Sequence, residues 1–419
     1  MTGCVCIDLS LMRSVRVDPK AATAEIGGGC LIGDVDDACK EHGLALPMGH
    51  VYHTGVAGMA LNATSGVGYL ARTRGLTVTY LREVTMVTAD GKTRTVSDAT
   101  DSDLFWATQG AGANFGVVTS MIFNLTKVPP KVLAGDVVKF PLGSGPPCGC
   151  LNSGKSRYEL VQHFVDFYLS APDECSALLV IAPQKASPVV YRVCYIPKES
   201  DAEGDAAAAR AAVARGREVY APLLGFGNSY SLLSNVKPRN YHSGLQKMGQ
   251  FKPSYYYQKA VNCTAELPAE VLRQLCAQAE AAPIQNMGTA IIMQRMGGAM
   301  GEMASDRTPT ADIMGRLVYW VIIIAEFPKG GKDADMRDAC IKWGRETYEV
   351  VKPYRSLDPQ GARTCDYWSE VLGDIYGANT PRLVELKTKY DPDNFFCHNR
   401  NVKAGPSGKT VQGASPAED

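Results

Sequence analysis

Apolar and polar positions alternate in short bursts along the first third of the chain. Residues 15–17 and 22–26 read as strands, parted by the turn Asp18-Pro19. Between 31 and 41, Leu31, Val35 and Ala38 recur at helical spacing. Asp34, Asp36 and Asp37 sit at the end where the helix dipole favours an acid. Residues 81–88 and 93–96 flank Ala89-Asp90-Gly91-Lys92 and predict a hairpin, and 117–125 is a further strand. Short strands broken by one or two helices indicate α+β rather than a regular βαβ repeat.

From about residue 131 the texture changes. Helical periodicity covers 159–168, 201–217, 266–281 and 333–349, and strands are expected at 177–181, 189–195, 255–259, 288–294 and 317–327. That order predicts an antiparallel sheet flanked by helices. Further helices are expected near 366–373 and 379–390. The Gly-, Pro-, Ser- and Ala-rich end beyond Lys403 reads as disordered. The expected division is 1–130, 131–350, a segment 351–403 too small for its own core that packs back on the first unit, and a tail 404–419.

Composition narrows the function classes. The chain has 419 residues, 45% apolar and 21% charged, with 43 Lys plus Arg against 43 Asp plus Glu. A net charge of zero argues against a nucleic-acid surface. The strongest apolar run, 317–327, is too short to span a membrane, so no membrane partner is expected. The 13 cysteines and 6 histidines show no zinc-type spacing, so buried thiols are expected and no metal. The first ten residues have neither the basic head nor the long apolar stretch of a signal peptide, and they read as a strand already under way. Compartment is therefore left open.

Three blocks carry the chemistry. LFWATQGAGANFGVVTSMIFNL (104–125) places Gly110, Ala111 and Gly112 before Asn114 and a strand, a turn against which a planar group or phosphate could lie. It resembles the DLFWAxRGGGGNFGVVT block of FAD-linked oxidases with a vanillyl-alcohol-oxidase (PCMH) type flavin domain, the berberine-bridge-enzyme-like family. Residues 15–49 resemble that family's strand, helix and P-x-G run, and RLVELKTKYDPDNFFCHNRNV (382–402) its closing signature. The chain lacks the G-x-G-x-x-G of a Rossmann fold, and Gly27-Gly28-Gly29 has the wrong spacing for one.

The resemblance implies a partial PCMH-type FAD-binding domain, a substrate domain with an antiparallel sheet, and FAD as cofactor. By its loops it places Gly49, His50, Gly55, Gly58, Gly66, Gly68, Gly112, Asn114, Gly116 and Val118 at the cofactor. Tyr354 is expected at the flavin as a donor or base, with Tyr257 and Gln294 on strands lining the pocket and Tyr255 on the face of Tyr257. The implied reaction is oxidation of a hydroxylated small molecule by hydride transfer to flavin, with oxygen or another acceptor following.

Departures from the family pattern point the other way. The family's R-x-x-G-G-H segment, which carries the histidine that bonds the flavin, does not occur, because the chain appears to begin after it. Val51 stands where some members have a flavin-bonding cysteine, a glycine-rich loop reads Asn62-Ala-Thr-Ser65, and Tyr354-Arg-Ser356 replaces Tyr-x-Asn. Weakened FAD binding without a 6-S-cysteinyl link is the expectation for this chain by itself. The alternative is a truncated or cofactor-free relative acting as a binding or scaffold protein.

Overall fold

In the computed structural model the described residues are 4–62, 66–142, 153–183, 188–198, 206–227, 234–246, 254–286, 288–303, 307–310, 316–327, 334–355, 376–398 and 401–405. The helix expected near 366–373 and most of the tail lie outside them.

The first sheet holds β1 (Val15–Asp18), β2 (Thr23–Gly27), β4 (Leu81–Thr88), β5 (Thr93–Ser97) and β6 (Gly116–Asn124), in the antiparallel order β1-β2-β6-β4-β5. A two-stranded ladder joins β3 (Leu44–Ala45) to β7 (Thr126–Lys127). Helices α1 (Ile32–Lys40), α2 (Val56–Ala60), α3 (Ala71–Arg74) and α4 (Ser102–Ala111) lie among these strands. The triple glycine serves packing rather than a cofactor. A Cβ on Gly28 would strike the Val118 carbonyl, and one on Gly29 the Leu9 carbonyl, so only bare backbone lets these segments cross.

The second sheet has seven antiparallel strands in the order β11-β8-β10-β9-β13-β14-β12. They are β8 (Val132–Lys139), β9 (Cys175–Ile181), β10 (Val189–Tyr195), β11 (Lys237–Arg239), β12 (Tyr255–Cys263), β13 (Ala290–Arg295) and β14 (Tyr319–Phe327). Helices α5 (Arg157–Ser170), α6 (Ala206–Gly225), α7 (Ala269–Glu280) and α8 (Ala334–Val351) supply the layer over one face. Their apolar stripes meet the alternate strand residues Leu179, Tyr191, Val193, Val261, Ile291, Met293, Val321 and Ile323 in one buried core. Two elements outrun their sequence expectation. Helix α6 continues through Pro222, and β12 runs on to Cys263.

The closing helix α9 (Thr380–Tyr390) returns to the first sheet, where Leu383, Leu386 and Tyr390, with Tyr376 and Val402, join its core. Lys387 is wholly buried there. Its Nζ donates to Asp391 Oδ2 (2.6 Å), the Asn114 carbonyl (2.8 Å) and the Phe396 carbonyl (3.1 Å). Two arginines of the short helix α3 clamp the sheets together. Arg72 Nη1 donates to the Met296 carbonyl (2.5 Å) and Nη2 to Asp173 (3.2 Å), while Arg74 Nη2 reaches the Pro197 carbonyl (2.9 Å).

Candidate active site

The face of the seven-stranded sheet turned away from the helices is where polar groups gather. Strand register sets Asp136, Arg192, Leu178, Gln294, Trp320 and Asn262 in one transverse row, each the pairing partner of the next. The adjacent row on this face is apolar: Val138, Val190, Val180, Ile292, Ile322 and Ala260. Side chains two apart on a strand share a face, so the rows are neighbours on one surface. Asp136 receives the Arg192 guanidinium through Nε (2.8 Å) and Nη2 (3.2 Å), a fork that fixes the arginine's position.

Two loops of the first unit come down on this row. A Cβ on Gly68 would collide with the Met48 carbonyl, so glycine is what lets the two backbones touch. Thr77 Oγ1 sews them further, donating to the carbonyls of Pro47 (2.5 Å) and Gly66 (3.2 Å). The residues that follow, His50 and Tyr69, are thereby set edge to face with ring centroids 4.2 Å apart. His50 Nε2 lies 3.1 Å from Gln294 Oε1, joining the loop to the sheet.

The polarity of this group is unfinished. His50 Nδ1 is shut away from solvent and has no hydrogen-bond partner, and the equally buried Tyr69 Oη has only the Arg192 guanidinium beside it, a donor that leaves the phenol's own proton without an acceptor. Burial pushes His50 down to about 4; the Gln294 bond opposes this and the Arg192 charge adds to it. Burial likewise pushes Tyr69 up to about 12, with the Arg192 charge working against it. At neutral pH both rings are uncharged, beside an arginine held by its own carboxylate.

The remaining predicted site residues divide. Gln294 and His50 are brought together as described. Gly55 and Gly58 border open space, so a group could lie on their backbone, and Gly49 sits where the loop passes Met59. Gly66, at φ +80°, faces Thr77; Gly112 faces Leu61; Gly116 faces Val87 and Met86. In all three the space beside the α-carbon is filled by the chain itself. Asn114 is occupied too: Nδ2 donates to the Ala111 carbonyl (3.2 Å) and Oδ1 accepts from the Val402 amide (2.9 Å). Val118 lies in the core of the first sheet.

Two expectations are corrected. Tyr257 packs on the helix side, its ring over Gly344 of α8, because it shares a face with Val261 and Cys263 and not with Gln294. Tyr255 shares that side and is exposed, stacked on Phe327. Tyr354, just beyond α8, packs against the same helix-side core. Sequence reasoning missed Tyr69, Arg192 and Asp136. One signal was present: a lone arginine inside the apolar strand VVYRVCY.

Among the described residues no cluster of His, Cys, Asp and Glu could hold a metal, and no helix is long and apolar enough to cross a membrane. The described cysteines are free thiols, most of them buried.

The chain's likenesses agree with this architecture. A family model described as "FAD binding domain" matches residues 1–97, and one described as "Berberine and berberine like" matches 372–403. An FAD-linked oxidoreductase of Dictyostelium discoideum is 28% identical over 400 residues, covering 95% of this chain and 79% of that protein. The (R)-6-hydroxynicotine oxidase of Paenarthrobacter nicotinovorans is 40% identical over 139 residues, 33% of this chain and 30% of that one. A solved berberine-bridge-enzyme-like protein of Arabidopsis thaliana superposes with a TM-score of 0.75 at 20% identity, covering 95% and 82% of the two chains. A chitooligosaccharide oxidase does so with a TM-score of 0.72 at 20% identity, covering 95% and 81%. With an FAD-binding model matched at one end, a berberine-like model at the other and the shared fold between them, this chain is similar throughout to berberine-bridge-enzyme-like FAD-linked oxidoreductases, and the matched models indicate FAD as its cofactor.

Proposed function

We propose that this chain oxidises a hydroxylated small organic molecule bound on the open face of the seven-stranded sheet. The observation that carries this reading is the pair of adjacent rows there, one polar and one apolar, beneath the partnerless His50 Nδ1 and a Tyr69 hydroxyl whose proton has no acceptor. An amphipathic substrate would lay its hydrocarbon part on Val180, Ile292 and Ile322 and turn its hydroxyl toward Gln294, His50 and Tyr69. Buried polar atoms are expensive unless paired, so a site that leaves an acceptor and a donor unsatisfied selects a ligand that completes them.

When bound, FAD supplies a two-electron acceptor for the substrate's hydride. The loop 49–58 suits it: Gly55 and Gly58 leave open space beside the backbone, and His50 in the same loop faces the sheet. Gly49, Gly66 and Gly68 shape the walls of that loop system, where they meet Met59, Thr77 and the Met48 carbonyl. They act through the chain's own packing rather than by side-chain contact. Reoxidation by oxygen or another small acceptor completes the cycle.

The test is anaerobic mixing of the FAD-loaded protein with a panel: glucose, a chitooligosaccharide, 6-hydroxynicotine, benzyl alcohol and 4-hydroxybenzyl alcohol. Bleaching of the oxidised-flavin band by at least one hydroxylated member is expected. If the flavin stays oxidised with all of them while chemical reductant bleaches it, the reading fails.

A further inference from the structure

We infer that His50 Nδ1 is the atom that takes the proton from the substrate's hydroxyl, with Tyr69 Oη donating to the same oxygen and Gln294 fixing which imidazole nitrogen is free. The inference rests on the hydroxyl-oxidation reading above and goes further by assigning the proton.

The tautomer follows from the contacts. Gln294 presents its carbonyl oxygen to His50 Nε2 at 3.1 Å, and an oxygen acceptor there requires the proton to be on Nε2. Nδ1 then carries a lone pair and no hydrogen, so it can only accept. It is buried and has no partner. Tyr69 Oη, also buried, belongs to the ring packed against the imidazole; Arg192 beside it can only donate, so the phenol's proton has no acceptor in the chain. Burial keeps the phenol protonated, so it can donate. An acceptor and a donor side by side match a group that is both, and an alcohol is that group. A carbonyl or an ether would leave Nδ1 unsatisfied, and a carboxylate would face its lone pair.

The step balances. The hydroxyl O–H bond breaks and its proton goes to Nδ1. The carbon–hydrogen bond breaks as hydride, for which FAD, when bound, would be the two-electron acceptor. The oxygen's electrons form the carbonyl π bond. The imidazolium so formed keeps its Nε2–H on Gln294 Oε1, a bond that favours the charged ring. The charged and titratable groups facing the imidazole are Tyr69, from the neighbouring loop, and Arg192, from β10, with Asp136 of β8 behind the arginine. The Arg192 charge favours the oxygen while it carries negative character and disfavours the imidazolium, so the proton is held briefly. His50 is thus a catalytic residue, and Gln294 a positioning residue.

The test has two arms. In the FAD-loaded protein, flavin reduction by whichever panel alcohol is active is followed by stopped flow across pH for wild type, His50→Gln and Gln294→Leu. The expected result is a loss of about 10²- to 10⁴-fold in His50→Gln, the range for a general base, at unchanged FAD content and melting temperature. The acid limb near pH 4 in wild type disappears in His50→Gln and moves in Gln294→Leu, because losing the Gln294 bond lowers the imidazole further. In the second arm, nitrogen-15 histidine NMR of the resting protein, assigned by His50→Gln, reads the tautomer directly. Protonation on Nε2 supports the assignment, and protonation on Nδ1 overturns it because the acceptor is then filled. Wild-type rates in His50→Gln overturn the proton assignment and leave alcohol oxidation standing. Failure of every panel member to reduce wild-type flavin removes the underlying reading, and this step with it.

Discussion

Two buried polar clusters in this molecule end differently. Around Lys387 every group is answered: Nζ has three oxygen partners, and Asp391 also accepts the amides of Phe395 (2.7 Å) and Phe396 (2.9 Å). Around His50 two needs go unmet: Nδ1 has no donor, and the Tyr69 hydroxyl, beside the Arg192 guanidinium, has no acceptor for its proton. Both clusters hold separate stretches of chain together, the first tying α9 to the turn at Asn114, the second tying loop 49–58 to β13. A closed cluster maintains structure, because everything it needs is already in the chain. An open one, set on a polar row where two units of the chain meet, has a place for something the chain does not supply. By that criterion Asn114, which the sequence block marks most strongly, belongs to structure, and His50 belongs to chemistry.

The sharpest way to break this comparison is to open the closed cluster. Lys387→Met removes the charge at nearly constant volume and leaves Asp391, with no exposed side-chain surface, without its countercharge. Stability should fall by about 3–5 kcal/mol, measured by denaturant unfolding. Lys387→Met combined with Asp391→Asn should recover part of the loss, since an amide oxygen can still accept from the two phenylalanine amides. A single variant as stable as wild type would mean that the cluster is not what fastens α9.

A smaller effect should come from protonating the open cluster. Folding lowers the His50 value from about 6.5 in the unfolded chain to about 4. Between those values the unfolded chain binds the extra proton, so the His50 contribution to stability is complete above pH 6.5. It is lost as pH falls toward 4, by at most about 3 kcal/mol. Carboxylates titrate in the same window, so the informative quantity is the difference between wild type and His50→Gln. Unfolding free energies at pH 7 and pH 4.5 should drop more in wild type. Parallel drops would mean that the folded imidazole accepts a proton freely and that the cluster is open to water.

How much of this was legible in sequence depends on whether the determining contacts are local. The α9 helix and its KYDPDNFF end were readable because an (i, i+4) pair, Lys387 and Asp391, sets the geometry within one turn and the following loop. Five of the sheet's seven strands were readable from their apolar runs, but β8, β11 and the face that lines the site were not. Alternation sorts β12 into Tyr255, Tyr257 and Lys259 on one side and Tyr256, Gln258 and Ala260 on the other, with tyrosines on both. Only packing against α8 decides between them. The glycines at 66 and 68 were expected at the cofactor, by the resemblance. What approaches, however, is Thr77 and the Met48 carbonyl, groups remote in sequence. The row from Asp136 to Asn262 draws one residue from each of six strands, and only the lone arginine of VVYRVCY hints at it within a single strand.

A finer test of the comparison uses the orphaned hydroxyl alone. Tyr69→Phe removes a hydroxyl whose proton has no acceptor in the free protein and whose oxygen has only the Arg192 guanidinium beside it, so the stability of the apoprotein should stay within about 0.5 kcal/mol of wild type. Tyr241→Phe, by contrast, deletes an oxygen that accepts from Gln246 Nε2 (3.1 Å) and should destabilise by about 1–2 kcal/mol. Equal losses in the two variants would show that the Tyr69 proton has an acceptor after all, and the distinction between open and closed clusters would lose its second example.

The smallest effect is expected on the far side of the sheet. Tyr257 and Tyr354 were the tyrosines the sequence favoured for chemistry, yet both pack against the helix-side core, with a layer of backbone between them and Gln294. A phenol on that side cannot reach an oxygen lying on the other, because alternate residues of a strand project in opposite directions. Tyr257→Phe keeps the ring that covers Gly344 and removes a hydroxyl from a half-buried edge, so its cost in stability should stay within about 0.5 kcal/mol. Neither Tyr257→Phe nor Tyr354→Phe should alter the rate of anaerobic flavin reduction, while His50→Gln does. Tyr354 is the more demanding case, since it lies near the end of β12, where Arg355 bridges to Cys263 at the sheet's margin. Slower reduction in Tyr354→Phe at unchanged stability would mean that its hydroxyl reaches around that margin to the substrate. The division of the molecule into a packing face and a reacting face would then give way to a site built from both.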